Sequence, residues 1–204
     1  ADETAVTLLA DGRLLAVTRL EAGGGIFGNA EAGTLISSAR PPFTEWTQLG
    51  WSKVTRLDGP TLVRDGERVY ALGRRQVRVA RPLLGQGSAL GQKRSALFRV
   101  EGGELIHLVD FPSAGDTSYP GAVSVDGKLF VSYYTNDPRR DPSWLVGMLK
   151  PTRIQMATIE LSDLAKHESS RHCEQSEAIP HQQGDCFVGK NTLLAMTKEG
   201  KETK

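Results

Sequence analysis

Glu3, Arg19, Arg74 and Tyr119 are the residues of this sequence whose types and placement could do chemistry together. Two arginines can hold a carboxylate through bidentate, charge-assisted hydrogen bonds. A tyrosine hydroxyl is neutral at rest, with an unperturbed pKa of about 10, and a glutamate beside it can take its proton as the oxygen attacks carbon. A neutral nucleophile suits a substrate that carries its own carboxylate, which would repel an anionic one. Taken singly, each residue has a plainer reading. Strand arginines and glutamates are mostly solvated, and a tyrosine where a strand begins is commonly a packed ring with its hydroxyl satisfied at the rim.

What would bring the four together is a repeat. ETAVTLLADGRLLAVTR, LDGPTLVRDGERVYALGRR and SYPGAVSVDGKLFVSYY each read as an apolar strand, an Asp-Gly turn and a second apolar strand. Asp-Gly between alternating runs is a strong hairpin signal, because a type I′ turn needs positive φ at both central residues. The turns fall at Asp11, Asp65 and Asp126, a period of roughly 55 to 60 residues that suggests stacked sheets, one blade per repeat. Two-residue turns at those positions make Thr4 face Arg19, Arg74 face Leu57 beside Asp58, and Tyr119 face Tyr134. Glu3, Arg19, Asp58, Arg74 and Tyr119 then all lie at the hairpin ends opposite the turns. Radially arranged hairpins bring those ends to a common axis. A one-residue slip would turn Arg75 inward in place of Arg74.

The remaining strands follow the same logic. GIFGNAE and GTLISSAR suit outer strands, followed by PPFTEWTQLGW; SALFRVEGGELIHLVDF reads as a further hairpin, and TRIQMATIEL as a last strand after the loop 136–142. Asp58 and Gly59-Pro60 are expected to serve the turn into their strand. Trp46 is expected in the core, and Trp51 and Trp144 could stack on sugar faces. The expected class is therefore all-β. Lysine plus arginine (25) nearly balances aspartate plus glutamate (24), so no bulk field points to nucleic acid. No apolar run reaches membrane-spanning length.

The order of these motifs, with SSARPPFTEW between the first two hairpins and GDTSYPGAVSVDGKLFVSYY in the third, resembles the later part of a sialidase (neuraminidase)-like six-bladed β-propeller of the Asp-box, or BNR-repeat, superfamily. The aspartate and glycine of that box are missing from Ser37 to Trp46. The resemblance implies a partial β-propeller of about three blades over residues 1–161. It also implies a retaining exo-glycosidase acting on terminal sialic acid or a similar carboxylated sugar. Carried over position by position, Tyr119 matches the nucleophile, Glu3 the glutamate that activates it, and Arg19 and Arg74 two of three carboxylate-binding arginines. The general-acid aspartate and the first arginine belong to earlier blades, and nothing here matches them. The same likeness implies no cofactor and an extracytoplasmic setting. The chemistry of such enzymes departs from the usual pair of catalytic carboxylates.

Two further expectations concern the ends of the chain. It opens Ala1-Asp2-Glu3, without an initiator methionine or a signal-peptide core, which reads as processed, trimmed or a fragment. Half a ring leaves open sheet faces that favour self-association. Residues 162–204 are polar and lack β alternation, a separate tail expected to be irregular or partly helical. His172, Cys173, His181 and Cys186 within it match no usual ligand spacing, so no metal is expected. Beside the enzyme stand two other readings, a noncatalytic sugar-binding propeller and an inactive truncated remnant.

Overall fold

The computed structural model describes residues 3–23, 25–77 and 84–164 and the backbone of Ala195–Met196. Their strands form three four-stranded antiparallel sheets, each built from strands consecutive in sequence. The first holds β1 (Thr4–Leu8), β2 (Leu14–Leu20), β3 (Gly33–Ala39) and β4 (Trp46–Ser52). The second holds β5 (Asp58–Asp65), β6 (Arg68–Gln76), β7 (Lys93–Glu101) and β8 (Glu104–Asp110). The third holds β9 (Gly121–Val125), β10 (Lys128–Thr135), β11 (Arg153–Glu160) and β12 (Ala195–Met196). The all-β class and the partial propeller both hold. His172, Cys173, His181 and Cys186 lie outside the described residues, as does most of the tail.

Period-two patterning decides how the sheets stack. In β10, Leu129, Val131 and Tyr133 alternate with exposed or half-buried residues and pack with Leu72 and Leu97 of the second sheet and with Phe111 just past β8. Between the first and second sheets the core is Leu15, Val17, Ile36, Leu57, Ala71 and Phe98. Each fully buried side chain of this kind contributes about 1.5–3 kcal/mol. The innermost strands meet in turn, β1 against β5 and β5 against β9. On the outer flanks, Val6 and Leu8 of the first sheet and Val123, Val125 and Ile154 of the third remain exposed.

Several local expectations shift. Asp126 and Gly127 do form a two-residue turn with both φ positive (50° and 74°), and Lys128 pairs with Val125 as expected. The first hairpin closes with a three-residue loop, because Leu9 N–H donates to the Arg13 carbonyl at 2.8 Å and Gly12 takes the positive φ. Thr4 therefore faces Thr18, and Arg19 N–H donates to the Glu3 carbonyl at 2.9 Å. In the second hairpin Asp65 pairs with Arg68, moving the turn to Gly66-Glu67. With a bulge between Asp58 and Thr61, Arg74 faces Asp58 rather than Leu57. GIFGNAE is no strand; Gly25–Phe27 form a 3-10 turn, in keeping with its glycines. Trp46, expected in the core, is 46% exposed on the outer strand β4. Among the described residues no helix is long and apolar enough to cross a membrane.

Candidate functional site

The four residues singled out by the sequence converge. Tyr119 Oη donates to Glu3 Oε1 at 2.6 Å, across 116 residues of chain. The other carboxylate oxygen, Glu3 Oε2, accepts the Gly59 backbone N–H at 2.6 Å and lies 3.1 Å from Arg19 Nη1. Arg74 donates through Nε and Nη2 to Asp58 Oδ2 at 3.1 and 2.9 Å. Arg19 Nη1 is 3.9 Å from Asp58 Oδ1, so the two arginines share one buried carboxylate. All three sheets contribute, as hairpin ends meeting at an axis require.

Tyr119 does not begin a strand. It precedes β9 by two residues, in the left-handed region at φ 46°, and is 64% exposed. For a bulky residue that conformation is strained, and such strain persists only where the surroundings impose it. Here they do, on both sides. Thr117 Oγ1 donates to the Tyr134 carbonyl at 2.6 Å, Ser118 Oγ to the Asp58 carbonyl at 3.5 Å, and Thr61 Oγ1 to the Pro120 carbonyl at 2.6 Å. The result is a phenol held out toward solvent instead of packed inside, so the core-tyrosine reading fails on burial. The hydrogen bond to Glu3 raises its pKa above the ordinary value, reinforced by partial burial and the Glu3 charge and opposed by Arg19 and Arg74. The resting hydroxyl is therefore protonated.

Residues given no part in the chemistry by the sequence reading complete the site, with Trp144, which was expected to stack on a sugar face. Arg56 donates to both Asp58 oxygens at 2.7 and 3.1 Å and to Glu21 at 3.1 Å. Asp58, expected only to serve a turn, is 2% exposed and is the anion on which these guanidinium groups meet. Its burial alone would raise its pKa, but Arg74 and Arg56 outweigh that and hold it below the ordinary value. Trp144, in the short helix α1 (Trp144–Gly147), lies with its ring 5.0 Å from the Arg74 guanidinium carbon. Its Nε1 donates to Asp116 Oδ1 at 3.2 Å, and the Tyr134 hydroxyl donates to the same oxygen at 3.4 Å. Lys93, 2% exposed, donates to Gln76 Oε1 at 2.9 Å; burial pulls its pKa down to about 7 against the Asp58 charge. Arg75 takes no part in this cluster, its guanidinium being bound to Asp110, which His107 also contacts. The hint available for Asp58 was its place at a hairpin end, next to the residue expected to face Arg74. Arg56 and Trp144 arrive from a loop and a helix, which strand pairing cannot position.

Comparison with known proteins agrees on architecture. No family model matches the sequence, and no curated protein does. Among solved structures, the chain is similar to the GH93 α-L-arabinofuranosidase of Fusarium graminearum with arabinobiose, at 12% identity and TM-score 0.53 over 77% of this chain and 44% of that one. It is also similar to the Penicillium chrysogenum α-L-arabinanase complexed with arabinobiose, at 13% identity and TM-score 0.50 over 77% and 45%. The chain thus spans less than half the length of these structures. At such identities the likeness carries the fold, a β-propeller of the kind found in glycosidases, and does not extend to the sialidase family itself.

Proposed function

We propose that this chain is part of the catalytic propeller of a retaining exo-glycosidase that acts on a terminal carboxylated sugar, sialic acid foremost. The observation that carries the reading is the 2.6 Å hydrogen bond from Tyr119 to Glu3, flanked by Arg19 and Arg74. The arginines receive the substrate carboxylate. The Tyr119 oxygen attacks the anomeric carbon as Glu3 takes the phenolic proton, forming a glycosyl–tyrosine bond while the aglycone oxygen leaves with a proton from a general acid. Water then attacks the same carbon and gives up a proton to the conjugate base of the general acid, while the tyrosine oxygen leaves and takes its proton back from Glu3. The general acid and a further arginine are assigned to the rest of the propeller, and Asp116 is left out of that role. An arabinoside has no carboxylate to engage two guanidinium groups, which favours a sugar acid over the ligands of the structural neighbours.

The test is hydrolysis of a fluorogenic sialoside by the complete propeller carrying these residues. Tyr119→Phe is expected to abolish turnover, and Glu3→Gln to lower it about 10²- to 10⁴-fold, the usual worth of a positioned base. Hydrolysis at the parental rate by Tyr119→Phe would refute the nucleophile. Cleavage of arabinosides alone would refute the sugar-acid substrate, and sialoside binding without turnover would make the propeller a noncatalytic lectin.

A further inference from the structure

Gly59 stands between the nucleophile pair and the arginine hub, and its contacts are those of neither a turn residue nor a spacer. Its N–H donates to Glu3 Oε2 at 2.6 Å, which leaves Oε1 directed at the Tyr119 hydroxyl. Its φ is +58°, a value that β-carbon-bearing residues adopt only at a cost. A β-carbon built on it would lie 2.6 Å from Ser118 Oγ and 3.0 Å from both Cδ1 and N of Tyr119. Ser118 Oγ, and beside it the edge of the Tyr119 ring, therefore occupy the space that a side chain at 59 would fill. The residue before it, Asp58, fixes Arg74 and Arg56 through its carboxylate and accepts from Ser118 through its carbonyl. One dipeptide in β5 thus touches the Tyr119 segment, the glutamate and two of the arginines.

We infer that Gly59 is a positioning residue: its N–H aims the Glu3 carboxylate and its bare α-carbon admits the Tyr119 ring, so that the proton-transfer pair exists only with glycine at this place. The inference rests on the reading of Tyr119 and Glu3 as a reacting pair, but it concerns their geometry and is measurable without substrate. Tyr119 faces Glu3 as its hydrogen-bond acceptor and Arg19 and Arg74 as nearby cations, so its ionisation reports whether the pair is formed.

The experiment is a pH titration of the full chain labelled with ¹³C at the tyrosine ζ carbon, with the Tyr119 resonance identified by its absence in Tyr119→Phe. In the parent, Tyr119 is expected to titrate above an ordinary tyrosine. Glu3→Gln, which removes the charged acceptor, sets the downward limit, and Gly59→Ala is expected to move the midpoint down toward that limit. The control is Gly66→Ala. Gly66 has the same φ of +58° but nothing within 4 Å of a built β-carbon, so it imposes the backbone strain without the collision, and its Tyr119 midpoint is expected to match the parent. A Gly59→Ala chain that folds and keeps the parental midpoint overturns the inference, as does an equal shift in Gly66→Ala. If Gly59→Ala does not fold, the same comparison in a Ser118→Ala background removes the nearest colliding atom and is judged by the same two outcomes. Loss of sialoside hydrolysis from every form of the protein would refute the proposed activity while leaving this titration result standing.

Discussion

Asp58 lies directly opposite Arg74 in the β5–β6 ladder and accepts two of its N–H groups, at 3.1 and 2.9 Å, while 2% exposed. The pair ties the end of one hairpin to the arginine cluster that faces Tyr119. It also shows the pattern of the cluster, in which guanidinium groups are held by carboxylates of the protein.

Removing that carboxylate should be costly for folding. Asp58→Ala leaves the buried Arg74 without its anion and Arg56 with Glu21 alone, and breaking a buried pair in this way costs about 3–5 kcal/mol. Urea unfolding of the variant and the parent measures it. A loss under 1 kcal/mol would mean that water or Glu21 replaces Asp58 without penalty.

Tyr119→Phe should behave oppositely. The ring is largely exposed and its hydroxyl is bound to Glu3 at the rim, so unfolding free energy should stay within about 0.5 kcal/mol of the parent, as for a typical surface substitution. Thermal and urea unfolding of the variant test this. A large destabilisation would turn Tyr119 into a structural residue.

Arg74 and Arg75 are neighbours in sequence with different jobs. Arg75 is bonded to Asp110, away from the Asp58 hub. Binding of N-acetylneuraminic acid to the complete propeller, followed by calorimetry, should weaken at least tenfold in Arg74→Ala and remain within about threefold of the parent in Arg75→Ala, because only Arg74 can offer a charge-assisted contact there. Equal losses would show that the side chains do not divide in this way.

Lys93 gives the stability a defined pH dependence. Its folded-state pKa is depressed to about 7 from 10.5 chiefly by burial, so between these values the unfolded chain binds more protons than the folded one. Stability should therefore rise with pH from about 7 toward 10.5, as the cost of burying the ammonium is relieved. Lys93→Met should remove this slope. Urea midpoints across that range measure the slope, and an unchanged slope in Lys93→Met would assign it to another group.

A further change is expected in acid. Asp110 is partly buried, which opposes ionisation, but its bonds to His107 and Arg75 bring its pKa down to about 2 from 3.8. The unfolded chain takes up that proton first, so this contribution to stability is lost as pH falls from about 3.8 to about 2. Asp110→Asn should flatten the acid limb of the stability curve; a limb identical to the parent's would exclude Asp110 as its source.

Local alternation and turn chemistry determined a good deal. The three hairpins, the turn at Asp126-Gly127, the pairing of β7 with β8 across Gly102-Gly103 and the placing of Glu3, Arg19 and Arg74 at hairpin ends opposite the turns all follow from short-range patterns, because a strand's faces alternate by rule and a hairpin brings its two ends together. What those patterns could not decide depends on contacts between sheets. The register of the first two hairpins turned on a three-residue loop and a bulge; Tyr119 left its strand because β5, β7 and β10 pin the residues around it; and Arg56, Trp144 and the bare face of Gly59 reached the site from segments whose neighbours are distant in the chain. A side chain's direction is written locally, but what stands in front of it is set by how separate sheets pack, and the chemistry of this site is a property of that packing.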